Sequence, residues 1–201
     1  MRITESKLRQ LIREALLAEA VITPEAALEK KITFKILKLT RDVEIFAKIG
    51  KRGVGYLRVQ KKSGECANAW VVKNVEREEE VKGIGPLMYD LMIDFISPDP
   101  IISDRREVSD DAQKIWRFYL NNRPDIEFVQ LTDEDDAPRG SFTFGPDDCD
   151  QSFSKEWAEE NGGKWSGPRN PFSKAYKRKD NTTPTLDALK RLGIVTIKTD
   201  E

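Results

Sequence analysis

The amino-acid sequence contains no histidine. This absence excludes Ser-His-Asp and Cys-His nucleophile pairs, histidine-based proton transfer and histidine-ligated zinc. The only two cysteines, Cys66 and Cys149, are too few for a four-cysteine metal site, and nothing resembling a secretory signal precedes them. We therefore expect two free thiols, no bound metal and a location in the bacterial cytoplasm.

Long apolar runs and an excess of charge of one sign are also absent. The 34 lysines and arginines nearly balance the 35 aspartates and glutamates, so no global field attracts nucleic acid or an anionic membrane. The most hydrophobic stretch, GPLMYDLMIDFI, is interrupted by two aspartates and is shorter than the roughly 20 apolar residues that span a bilayer. The composition thus predicts a soluble protein with one α/β domain and appendages, and neither membrane nor nucleic acid as a partner.

Alternating β-branched and aromatic residues mark the strands. The predicted strands are ITFKILKLT, VEIFAKIG, GVGYLRVQ and CANAWVVKNV, with hairpin turns at residues 51–53 and 61–64. A helix then follows with its apolar residues from Leu87 to Phe95, and PIIS is a short buried strand. Ser109 caps a further helix that precedes the strand IEFVQL. The predicted order is β-hairpins followed by β-α-β-α-β.

The two ends of the chain differ from this central part. An amphipathic helix is predicted within residues 2–20, and Thr23 and Pro24 begin a second short helix. Beyond Thr132 the sequence is acidic and irregular until a last helix, which Gly193 closes. We divide the chain into an N-terminal helical arm (1–31), a core (32–132) and a loop-rich C-terminal extension (133–201) that completes or decorates the domain.

The segment KGIGPL joins the fourth strand to the following helix. Gly83 and Gly85 let backbone amides approach an anion closely, because a Cβ at either position obstructs that approach. Pro86 fits the first helical turn, where its missing N–H has no intrahelical partner. The loop is therefore predicted to bind a phosphate group.

The stretch from Asn74 to Asp94 resembles motif A of the GNAT superfamily of N-acyltransferases. In that motif a strand ends in valine, here Val75, a Gln/Arg-x-x-Gly-x-Gly/Ala signature follows, and a long amphipathic helix begins. The resemblance extends from about residue 43 to 131. It implies a mixed, mostly antiparallel central sheet flanked by helices, and transfer of an acetyl group from acetyl-CoA to an amine of a small molecule or a protein.

The same resemblance assigns residues to acetyl-CoA. The backbone of the strand end would face the pantetheine arm and the thioester, and the loop would hold the pyrophosphate. These residues are Asn74, Val75, Lys82, Gly83, Ile84 and Gly85. The signature's Gln/Arg position is occupied by Glu80: either only its backbone N–H is used while its side chain faces solvent, or Lys82 and Arg77 offset its charge, or the fold is inactive.

Catalytic candidates come from the later elements. Trp116 stands where many family members have a tyrosine that protonates the leaving thiolate, and Tyr119, about one turn further, supplies the phenol only if the helix register differs. Asp104 follows the strand PIIS and either anchors or deprotonates the amine or is an ordinary turn residue. The acidic segments 133–136 and 147–150 either attract a cationic amine or form a solvated surface.

The N-terminal helix has two interpretations. It packs on the domain or mediates self-association into a homodimer, as short amphipathic helices commonly do. Alternatively, it resembles the removable capsid-targeting leaders of tailed-phage head proteins, with cleavage after Glu19 and packaging of the mature chain in a virion. Three classes of function remain open: an active N-acyltransferase, a catalytically inactive GNAT-fold structural or binding protein of a phage particle, and a partner-dependent modifying enzyme.

Overall fold

The computed structural model describes residues 22–61, 69–103, 108–130 and 174–200. In chain order the elements are α1 Pro24–Glu29, β1 Ile32–Lys38, β2 Asp42–Ile49, β3 Arg52–Lys61, β4 Trp70–Arg77, α2 Ile84–Ile96, β5 Ile101–Ile102, α3 Asp110–Asn122, β6 Ile126–Gln130, β7 Lys174–Arg178, α4 Pro184–Arg191 and β8 Val195–Thr199. A short 3-10 helix, Lys179–Asn181, connects β7 to α4.

The strands form one eight-stranded sheet in the order β6-β7-β5-β4-β3-β2-β1-β8. The pairs β1–β8 and β4–β5 are parallel and all others are antiparallel. The protein is therefore an α/β structure with a mixed, mostly antiparallel sheet flanked by helices. None of the helices in the described ranges combines the length and apolarity needed to cross a bilayer.

The hairpin strands follow the alternation read from the sequence. In β1 the buried positions are Ile32, Phe34 and Ile36, and the residues between them are more exposed. This period of two places one face of each strand against the helices. The predicted strands of the hairpins, the motif strand and the helix that Ser109 caps are all confirmed.

Helix α2 forms the centre of the core. Eleven of its thirteen residues are buried, because strands lie along one side and α3 and α4 along the others. It packs closely against β3 at Gly55, where a Cβ would lie 2.9 Å from the Met88 sulfur, closer than Cβ atoms come to other heavy atoms. A side chain at Gly55 would therefore require the flexible end of Met88 to move.

Two strands were not anticipated from the sequence. β7 lies between β5 and β6, and β8 adds a parallel edge strand to β1. Both belong to the C-terminal segment, so part of residues 133–201 lies within the central sheet. The amphipathic helix of residues 2–20, both cysteines and the two acidic segments lie outside the described residues.

A buried ionic network joins β7 to α2 and α4. Arg178 is 1% exposed, and its Nε donates to Asp94 Oδ1 at 2.6 Å. The other carboxylate oxygen of Asp94 accepts the backbone N–H groups of Thr185 and Leu186 at 2.6 and 3.0 Å, and so caps the start of α4. Arg178 also pairs with Asp125, which precedes β6. The Arg178 guanidinium therefore connects β7 to α2, to the start of α4 and to the residue before β6.

Asp125 is expected to make stability depend on pH. Hydrogen bonds from Arg123, with Arg178 nearby, lower the pKa of Asp125 from 3.8 to about 2. A depressed carboxyl pKa contributes stability above pH 3.8, and that contribution is lost as the pH falls toward 2. Because the Asp125 side chain is 45% exposed, we discount the linkage to about 1 kcal/mol.

Asp125→Asn should therefore lower the free energy of unfolding by about 1 kcal/mol at pH 6. Urea unfolding of wild type and variant at pH 6 and at pH 2.5 measures this. The difference in the free energy of unfolding between wild type and variant should become much smaller at pH 2.5, where the wild-type carboxyl is partly protonated. An equal difference at both pH values would show that the charge of Asp125 contributes nothing to the stability of the fold.

Candidate functional site

The parallel strands β4 and β5 pair for only two residues. Trp70 and Val71 are opposite Ile101 and Ile102, after which β5 ends while β4 continues to Arg77 along β3. The β3–β4 register shifts between Arg58 and Val59, as in a β-bulge. From Val72 onward, the β4 edge that faces away from β3 pairs with no strand in the described parts of the chain.

The loop after β4 ends at the first turn of α2. Gly83 is the N-cap of the helix with φ of +83°, in the left-handed region that favours glycine, and it has no side chain to cap the first amides. Its carbonyl accepts the backbone N–H of Ile22 at 3.2 Å, which holds the loop against the segment before α1. The N–H groups of the first turn are thus held in place with no side-chain cap.

An outer cleft of about 740 Å³ lies beside the open edge of β4. Its walls are the end of β4, the loop with the start of α2, and one face of α3. From β4 and the loop it is lined by Val75, Glu76, Arg77, Glu79, Lys82 and Gly83, and from α2 by Gly85, Pro86 and Tyr89. Ile115 and Phe118 form an apolar part of the α3 wall. The volume is in the usual range for small-molecule sites.

A smaller inner chamber of about 160 Å³ continues the cleft to the point where β4 and β5 separate. The two spaces share Val75, Tyr89, Ser109 and Ala112 as lining residues. Ser103, at the end of β5, lines only the inner chamber. The site is therefore wide beside the loop and narrow at its inner end.

Three of the six charged residues that line the outer cleft, Arg77, Asp111 and Lys114, are paired with one another. Asp111 accepts from Arg77 at 2.8 Å and from Lys114 at 2.7 Å, and hydrogen bonds from these two cations lower its pKa. Lys82 has no ionic partner among the described residues, so its ammonium is available to an anion. Glu80 lies outside the cleft, 74% exposed and 3.2 Å from Arg52. Glu80, the residue that differs from the GNAT signature, therefore has its carboxylate directed toward Arg52 and away from the loop.

Tyr89 is the tyrosine that lines both spaces. It is 1% exposed, its ring makes an edge contact with Trp116 at 5.3 Å, and no described residue hydrogen-bonds its hydroxyl. Burial raises its pKa, so the phenol keeps its proton at neutral pH. Tyr89 is thus a protonated tyrosine that lines both spaces.

Five of the six residues predicted to bind acetyl-CoA line the two spaces, and one does not. Val75, Lys82, Gly83 and Gly85 line the outer cleft, and Asn74 lines the inner chamber, as does Val75. The Ile84 side chain is fully buried in the core and does not line the cleft, so only its backbone is able to serve a ligand.

The placement of Tyr119 requires a correction. Its hydroxyl donates to Asp90 at 2.8 Å inside the core and lines neither space, and burial together with the charge of Asp90 raises its pKa well above the usual value. Tyr119 is therefore a core residue in this structure, because α3 directs it toward α2 instead of the cleft. Asp104, the other catalytic candidate, lies outside the described residues.

Sequence reasoning missed Tyr89 and gave Ser103 no role of its own. A signal for Tyr89 was present, because it lies four residues after Gly85 and residues four apart share a helix face. No comparable signal existed for Ser103, since its position in the chamber depends on where β5 ends relative to β4.

No protein-family model, no curated protein and no solved structure matches this chain. The functional assignment therefore rests on the cleft and on the motif residues that line it.

Proposed function

We propose that this chain is a GNAT-type N-acyltransferase that transfers an acetyl group from acetyl-CoA to the amine of a small molecule or a protein. The supporting observation is the open edge of β4 beside a cleft that runs from the glycine loop to a narrow inner chamber. An extended ligand with phosphates at one end and a small group at the other matches that shape.

The residues present fit acetyl-CoA by their chemistry. The uncapped amides at the start of α2 and the ammonium of Lys82 are suited to a pyrophosphate. The edge of β4 beyond its two-residue pairing with β5 would offer backbone donors and acceptors to the amide groups of a pantetheine arm. Ile115 and Phe118 supply apolar contact along the same path.

Bound acetyl-CoA would supply the thioester carbon that an amine attacks, with cleavage of the C–S bond and release of the thiol. The chain contributes alignment along β4 and a proton donor for the departing sulfur. Tyr89 is the candidate for the second role, because this residue lines both the outer cleft and the inner chamber. The proton that the amine loses returns to Tyr89 through solvent.

Isothermal titration of the purified chain with acetyl-CoA tests the cofactor, and thiol release in the presence of polyamines, amino acids and a lysine-containing peptide tests the reaction. We expect binding in the micromolar range and turnover with at least one amine class. No binding at millimolar acetyl-CoA would refute the proposal. Binding without turnover across the panel would favour a GNAT-fold binding protein.

Tyr89→Phe should lower kcat by about 10²-fold while the dissociation constant for acetyl-CoA changes little, since the variant removes only the proton donor. Tyr119→Phe is the matched control: it removes a hydroxyl bound to Asp90 in the core and should leave kcat within a few-fold. Steady-state kinetics of both variants decide between the two tyrosines. A larger loss for Tyr119→Phe would contradict the assignment.

A further inference from the structure

One ion pair connects two walls of the outer cleft. Arg77 is the last residue of β4 and Asp111 is the second residue of α3, and both line the cleft. A terminal nitrogen of the Arg77 guanidinium donates to Asp111 Oδ2 at 2.8 Å. A ligand in the cleft has to lie between the two elements that this contact joins.

Few other polar contacts hold the start of α3 in place. Among the described residues, the other side-chain hydrogen bonds of its first turn go to residues no more than five positions away in the chain. The aromatic and polar contacts of α3 with α2 begin at Trp116, more than one turn further along the helix. The pair of Arg77 and Asp111 is therefore the polar contact that ties the start of α3 to β4.

This ion pair is charged but weak. Hydrogen bonds from Lys114 and Arg77 lower the pKa of Asp111, so its carboxylate is ionised at neutral pH. Because 35% of the Arg77 side chain and 55% of the Asp111 side chain are exposed, water screens the attraction between them. A competing anion is therefore able to replace the carboxylate.

A phosphate is the kind of anion that a guanidinium prefers. Guanidinium groups bind phosphate oxygens through two parallel hydrogen bonds, and a pyrophosphate carries more negative charge than one carboxylate. Lys82 and Gly83, the proposed phosphate contacts, line the same cleft as Arg77. Arg77 is thus a second cation in the cleft, and in the free protein it is occupied by Asp111.

We propose that Asp111 is an autoinhibitory anion: in the free protein it holds Arg77 between the cleft walls, and a phosphate group of the ligand replaces it on the guanidinium. This inference rests on the proposed acyl-CoA function, because CoA supplies the phosphates. The pair lowers the apparent affinity for CoA, since binding has to break it first. Removing the charge of Asp111 is therefore expected to strengthen binding.

Calorimetric titration with CoA tests the exchange. Asp111→Asn should bind CoA about three- to fivefold more tightly than wild type, the range that one exposed ion pair accounts for. Arg77→Gln should bind CoA about fivefold more weakly, because the phosphate loses a cation. Both side chains are exposed, so both variants should fold, and thermal unfolding verifies this.

A double variant separates the exchange from simple repulsion between Asp111 and the ligand. In an Arg77→Gln chain there is no guanidinium to release, so the gain from Asp111→Asn should be about threefold smaller than in wild type. Glu79→Gln is the matched control, because Glu79 lines the same cleft and has no ionic partner among the described residues. Its gain measures the loss of repulsion alone and should be smaller than that of Asp111→Asn.

The opposite results overturn the inference. Equal gains from Asp111→Asn in the wild-type and Arg77→Gln chains would show that Asp111 only repels the ligand. Unchanged or weaker CoA binding by folded Asp111→Asn would exclude an autoinhibitory role. In both cases wild type still binds CoA and the proposed function stands, whereas failure of wild type to bind CoA at all would refute the proposed function together with this inference.

Discussion

Arg178→Leu is expected to lower the free energy of unfolding by about 3–5 kcal/mol, a large share of the roughly 5–15 kcal/mol that stabilises a domain. The variant leaves Asp94 buried without its guanidinium partner. Burial already raises the pKa of Asp94, with Arg178 opposing that rise. Without Arg178 the carboxylate must either remain charged in an apolar setting or take up a proton.

Urea unfolding followed by circular dichroism measures the effect, and Arg52→Leu is the matched control. Arg52 also contacts two carboxylates, those of Glu78 and Glu80, but its side chain is 53% exposed. An exposed pair contributes at most about 1 kcal/mol, so the control should remain close to wild type. If the two variants lost similar amounts of unfolding free energy, burial would not be the reason for the large effect of Arg178→Leu.

A double variant identifies the cause of the loss. Adding Asp94→Asn to Arg178→Leu removes the uncompensated charge and should recover part of the stability, because the main cost is a buried carboxylate without its cation. The recovery is expected to be incomplete, since Asp94 also accepts the first amides of α4. A double variant less stable than Arg178→Leu would contradict this account.

Gly85→Asp is expected to weaken acetyl-CoA binding by 10²-fold or more. A carboxylate in the first turn of α2 would repel a pyrophosphate held by the same loop. For two unit charges about 5 Å apart at an effective dielectric constant of about 20, the repulsion amounts to about 3 kcal/mol. Calorimetric titration at low salt measures the change.

A loss of binding has to be separated from a loss of folding, because Gly85 is buried at the start of α2. A Cβ at Gly85 would meet only the Ile115 Cδ1 atom at 3.7 Å, an ordinary contact. An aspartate near the start of a helix also stabilises that helix. Gly85→Ala should therefore bind within a few-fold of wild type, and thermal unfolding should show both variants folded.

Gly53→Asp is the control for added charge. Nothing lies within 4 Å of a Cβ at Gly53, which is exposed at the second residue of β3. Its binding should match that of wild type. If Gly85→Asp binds as well as this control, the loop does not hold an anion and the proposed function fails.

Much of the fold was predictable because its signals are local. The alternation in β1 to β3, the turn residues between those strands and the cap of α3 at Ser109 all depend on neighbours close in sequence. The glycine loop was predictable for the same reason. β7 was not, since its place between β5 and β6 depends on strands far from it in the chain, and its short KAYKR segment lacks a distinctive alternation.

The prediction of the candidate site divides in the same way. The sequence by itself determined the strand, the glycine loop and the helix, since their backbone conformations follow from residue types at fixed spacing. Only the tertiary structure decided which side chains face the cleft: Tyr89 lines it and Tyr119 does not, and Glu80 extends to Arg52. The rotation of a helix and the end of a strand are set by packing against elements distant in the sequence. A local sequence pattern does not indicate which elements those are.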